Sequence, residues 1–124
     1  MDIIGNKGVS ESNWAAYAAE CANDQGKFWE YHDKLFEVWS GEFAGTYTKP
    51  KLKQYAADLK LDTTVFNQCL DTEKDKAAVD ADIAQAKQLN VYGTPMFFVN
   101  GQLLQTGGSL SYAIFSRAFD SLLK

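Results

Sequence analysis

Cys21 and Cys69 are the side chains of this sequence best suited to chemistry. Disulfide exchange needs a thiolate of depressed pKa, commonly at a helix N-terminus, and a second thiol near enough to resolve the mixed disulfide. The two cysteines lie far apart in the sequence and form no C-x-x-C. Each falls late in the helix its surroundings predict, away from the positive end of the helix dipole. They are poorly placed as redox nucleophiles, and a reading as two buried thiols acting as small hydrophobes stays open. His32 is the sole histidine, so the partners of a zinc motif are missing and no metal or other cofactor is expected. His32 itself titrates near neutrality in principle, yet no serine, cysteine or carboxylate is arranged with it, and it reads as a hydrogen-bonded residue at the core boundary. The acidic run Asp71, Glu73, Asp75, with Asp80 and Asp82 beyond, lacks the spacing and glycine of a calcium loop and reads as a solvated helix face. Gly107-Gly108 reads as a plain turn rather than an anion site. No catalytic residue is assigned.

The remaining chemical signal is Gly93-Thr94-Pro95-Met96-Phe97-Phe98-Val99-Asn100-Gly101. Thr94-Pro95 is a bond at which the cis form costs little. Met96 to Val99 reads as a short buried strand, and Asn100-Gly101 supplies the two positive-φ residues of a type I′ hairpin that returns through Gln102 to Gln105.

The elements that must position these residues are mostly helical. Ser10 caps a first helix reaching about Asn23, with Trp14, Ala18 and Cys21 on one face. After Gln25-Gly26 a second helix, about Lys27 to Trp39, carries Phe28, His32, Leu35, Phe36 and Trp39 as an aromatic stripe expected to pack in the core. Thr48 caps a third, with Pro50 in its first turn and Leu52, Tyr55, Ala56 and Leu59 inward. Asp62 caps a fourth carrying Phe66, Cys69 and Leu70. Thr72 with Asp75 predicts a capping box for a fifth, where Val79, Ile83 and Ala86 repeat. After the hairpin, Ser109 is expected to cap a last helix lined by Leu110, Ile114, Ala118 and Leu122. Helices, then a hairpin, then a helix predict an α/β fold with a helical insertion.

The 124 residues suit one domain, and 46% apolar content supports a core and argues against disorder. A net charge of −4, without a basic stripe, makes nucleic acid a poor partner. No apolar run approaches the roughly 18 residues that span a bilayer, so no membrane insertion is expected. Met1 to Lys7 lacks the basic start and apolar stretch of a secretory signal.

Ala18-Ala19-Glu20-Cys21-Ala22, Gln25 to Phe36, Phe66 to Asp71 and Val91 to Gly101 together resemble the DsbA-like thiol–disulfide oxidoreductases, from about Asn13 to the C-terminus. The resemblance implies an incomplete thioredoxin-like (DsbA-type) α/β fold. Residues 10–90 would be its helical insertion and 91–124 its β-hairpin and C-terminal helix, all within a single domain 1–124. It implies protein or peptide thiol substrates, an extracytoplasmic setting, and a structural disulfide between Cys21 and Cys69. It also implies a cis Thr94-Pro95 whose backbone offers Thr94 and Pro95 as substrate-binding residues. The family's first strand, its C-x-x-C helix and its second strand have no counterpart in this sequence, so activity in this chain is expected to be lost. The alternative is a non-catalytic peptide- or partner-binding module. The strand from Met96 would then lack a neighbour, and a homodimer by strand pairing or domain swapping is expected, or a substitute strand from Asp2-Ile3-Ile4.

Overall fold

A computed structural model describes residues 10–41 and 44–124. Six helices and two short strands follow in the order α1 (Glu11–Asn23), α2 (Phe28–Val38), α3 (Lys49–Asp58), α4 (Thr63–Asp71), α5 (Lys76–Gln88), β1 (Phe98–Val99), β2 (Gln102–Leu103) and α6 (Tyr112–Leu122). They form two units divided between Tyr92 and Gly93. The proposed Asp2-Ile3-Ile4 strand lies outside the described residues.

The first unit is a helical cluster centred on α1, which packs on α2, α3, α4 and α5. Its small residues allow this: Ala15, Ala18, Ala19 and Ala22 are buried with Tyr17 and Cys21, so helices approach α1 on more than one side. Leu52 and Ala56 of α3, Phe66, Cys69 and Leu70 of α4 and Val79 of α5 complete the core, much as their periodicity predicts. At the N-terminus of α1, Asn13 Oδ1 accepts from both the backbone N–H and the hydroxyl of Ser10. Asp62 Oδ1 accepts from Val65 N–H at the start of α4.

Four of these helices stop in the same way. A residue at positive φ follows the end of α1 (Gly26), α3 (Lys60), α4 (Glu73) and α5 (Asn90). The next N–H then reaches back to a carbonyl of the last turn: Lys27 to Ala22, Leu61 to Ala56, Lys74 to Cys69 and Val91 to Ala86. This is the Schellman closure, made with glycine once and with side-chain residues three times. The α1–α2 and α3–α4 turns are tied together by Gln25, whose Oε1 accepts from Asp62 N–H at 2.8 Å while its Nε2 donates to Asp62 O at 3.1 Å.

Three local expectations are corrected. The inward residue of α2 is Tyr31, fully buried against Phe66 with ring centroids 5.4 Å apart, and its hydroxyl donates to Leu52 O at 2.8 Å. Phe36 and Trp39, expected inside, are 72% and 58% exposed. Thr72 makes no capping box: its hydroxyl donates back to Gln68 O, and α5 starts only after Asp75. The last helix is preceded by Ser111 rather than Ser109.

The second unit holds a two-stranded antiparallel sheet with Phe98 opposite Leu103 and Val99 opposite Gln102. Asn100 (φ 51°) and Gly101 (φ 80°) make the tight turn, as their types predict. Regular pairing is shorter than the sequence suggests, although Leu104 N–H still donates to Phe97 O. Phe97 meets Phe115 of α6 edge to face at 4.9 Å, giving this unit a small aromatic contact of its own.

Candidate functional site

Cys21 and Cys69 are joined in a disulfide, with Cα atoms 5.9 Å apart, stapling α1 to α4. Both lie late in helices that pack against each other, and a free-thiol reading of the pair is set aside. Neither sulfur is accessible: Cys21 is 1% and Cys69 6% exposed. An external thiolate therefore has no open line to either sulfur, and among the described residues no free cysteine stands by to resolve an exchange. Closing a loop of 48 residues stabilises the fold by about 4 kcal/mol in the chain-entropy view.

The surroundings of the bridge are acidic. The left-handed turn at Glu73 folds Lys74 and Asp75 back over the end of α4. Asp75 Oδ2 thereby stands 3.3 Å from Cys69 Sγ, and Asp24 Oδ2 approaches the same sulfur at 4.0 Å. Lys74 Nζ pairs with Asp24 Oδ2 at 2.5 Å. Burial, and then the charge of Asp24, pushes the Asp75 carboxyl above its ordinary range. Glu20 is pushed up in the same way, by burial first and then by Asp75. This group was not legible as a site: Asp75 reads as half of a capping box and as one of an acidic run on a solvated helix face. The signal that could have found it is a left-handed stop between Cys69 and Asp75, which glutamate does not advertise.

In the second unit, the Thr94–Pro95 peptide bond is cis and both residues are exposed, directly ahead of the segment leading into β1. Among the described residues β1 pairs on one side alone, with β2. Its other side presents backbone N–H and C=O groups of the kind an extended peptide can pair with. His32 lies apart from the bridge in an exposed aromatic group: its ring centroid is 4.9 Å from Phe36 and 5.2 Å from Trp29, and Nδ1 meets Asp33 Oδ1 at 3.0 Å. That constellation contains no nucleophile. The Gly107-Gly108 turn and the acidic face of α5 likewise gather no catalytic set.

A family model described as thioredoxin matches residues 4–121. The chain belongs to the thioredoxin family. Its helices and small sheet are accordingly those of an incomplete α/β thioredoxin-like fold. It is 28% identical over 96 residues to a Bacillus anthracis protein named "Probable disulfide bond formation protein D", a match covering 76% of this chain and 44% of that protein, which supports a DsbA-like assignment. It is also 40% identical over 88 residues to a protein named "Na(+)/H(+) antiporter NhaA 1" from Salinispora arenicola. A second antiporter, NhaA 3 of Salinispora tropica, is 38% identical over 88 residues. Each antiporter match covers 71% of this chain and 13% of the relative. The chain thus spans a small part of the antiporters and less than half of the disulfide-forming relative. No solved structure matches it significantly. Among the described residues no helix is long and apolar enough to cross a membrane.

Proposed function

We propose that this chain is the helical-insertion and substrate-binding part of a DsbA-like thiol–disulfide oxidoreductase that works outside the cytoplasm, and that by itself it binds thiol-bearing peptides without turning them over. The carrying observation is that the sequence has two cysteines and both are spent in one buried bridge. Disulfide exchange on a substrate then has neither an exposed thiolate to begin it nor a resolving thiol to end it. The exposed Thr94 and Pro95 beside the unshared side of β1 support binding of an extended peptide by strand addition. A bridge that persists fits an oxidising compartment, and similarity to named membrane antiporters is compatible with a place at the cell envelope.

The test has two arms. In an insulin-reduction assay with a dithiol donor, the chain should not exceed the uncatalysed rate. In a nuclear magnetic resonance titration with an extended cysteine-containing peptide, amide shifts should concentrate at Thr94 and at Met96 to Val99. Robust turnover would overturn the inactive reading, and unmoved signals at Thr94 would overturn the binding role.

The unshared side of β1 also favours a second reading, a homodimer joined by strand pairing or by exchanged elements. Sedimentation at several concentrations should then show a dimer. A monomer throughout would overturn it.

A further inference from the structure

Asp75 occupies the N-cap of α5 but makes no side-chain capping bond, although accepting from the first-turn N–H groups is what an aspartate at that position ordinarily does. Its carboxylate is turned to the bridge instead. Cys21 Sγ, Cys69 Sγ and an Asp75 carboxylate oxygen lie within 4.8 Å of one another. Asp24 stands behind them, 4.0 Å from Cys69 Sγ, with its charge partly answered by Lys74. A disulfide sulfur carries no proton and gives these carboxylates nothing to accept. The Asp75 carboxylate thus makes no cap and faces the two bridge sulfurs.

We propose that reduction of the Cys21–Cys69 bridge turns this place into a binding site for a divalent cation of zinc type, with Cys21, Cys69 and Asp75 as ligands and water in the fourth position. Two thiolates and a carboxylate are donors that zinc takes in tetrahedral geometry. Around tetrahedral zinc the two sulfurs would stand about 3.8 Å apart, given Zn–S bonds of about 2.3 Å. Side-chain rotation can provide that on Cα atoms 5.9 Å apart. Reduction is supplied by a dithiol that reaches the buried bridge only when the packing of α1 on α4 opens locally: the Cys21–Cys69 bond breaks, the donor closes its own disulfide, and its two protons pass to the cysteine sulfurs. Metal binding then forms two metal–sulfur bonds and releases those two protons to solvent. The sequence spacing does not announce the site, because its ligands come from α1, α4 and the turn before α5.

The experiment uses the full chain reduced by a trialkylphosphine, which leaves as its oxide with oxygen drawn from water, and then desalted without air. Titration with Co²⁺ alone should show one equivalent bound, with thiolate-to-cobalt charge transfer and tetrahedral visible bands, both displaced by Zn²⁺. The oxidised chain should show neither. Asp75→Asn keeps both cysteines, and circular dichroism of its oxidised form checks that it folds. It should bind at least about tenfold more weakly, since even groups behind the ligands are worth that much. If the reduced chain loses helicity, recovery on adding Zn²⁺ supports the site. No binding by the reduced chain, no recovery of lost helicity, or equal affinity in Asp75→Asn would overturn it.

Discussion

The residue that decides how α2 sits is Tyr31, and its environment makes a pH-dependent prediction. Its hydroxyl is fully buried and donates to Leu52 O, and burial holds its pKa well above the ordinary tyrosine value. In the unfolded chain the same group ionises near pH 10. The native state therefore keeps a proton that the unfolded state loses. The stability Tyr31 contributes is fully present below about pH 10 and falls by about 1.4 kcal/mol per pH unit above it. Tyr31→Phe should lose about 1 kcal/mol at pH 7 with the hydrogen bond, yet show a shallower alkaline decline in urea midpoints between pH 9 and 11. Parallel declines would contradict the buried hydroxyl. The sequence did not reveal this residue because α2 offers two apolar faces at helical spacing. Phe28, His32, Leu35, Phe36 and Trp39 make one, and Phe28, Tyr31, Leu35 and Val38 make the other. Which face is covered depends on where Leu52 and Phe66 arrive, and that is a fact about tertiary packing.

Among the elements, the helices were legible where capping chemistry is local, and less so where a turn needs a left-handed residue. Ser10, Thr48 and Asp62 stand at the helix starts they predict, and the stripes of α1, α3, α4 and α5 point to the core. Thr72-x-x-Asp75 misled because Thr72 is the C-cap of α4, whose stop is completed by Glu73 in the left-handed region. Such stops favour glycine, and an L side chain there costs roughly 1–2 kcal/mol. Lys60 ends α3 at φ 58° and is exposed, with Leu61 N–H closing the turn on Ala56 O. Lys60→Gly should therefore raise stability by about 1 kcal/mol, read as a higher urea midpoint at unchanged slope. A drop would mean that the Lys60 side chain holds the turn by contacts that outweigh its backbone strain.

At the scale of the molecule, the two units are stabilised by different amounts of burial, and amide exchange should report it. The first unit contains every buried residue described, the bridge, and four helices closed at their C-termini by left-handed turns. In the second, no residue from Gly93 to Lys124 is buried, each strand is two residues long, and the apolar side chains Leu110, Tyr112, Phe119, Leu122 and Leu123 are exposed. A two-stranded hairpin with one helix gains too little from apolar burial to offset its ordering entropy. Amides buried in α1 and α4 should thus exchange only on global unfolding, and those of β1, β2 and α6 with little protection in dilute solution. Raising the protein concentration separates the explanations for any protection that does appear. If β1 and α6 become protected as concentration rises, while α1 is unchanged, a second copy is covering the strand edge by mass action. Protection in β1 equal to that in α1 at every concentration would mean that the second unit is stabilised within one chain, and the homodimer reading would fall.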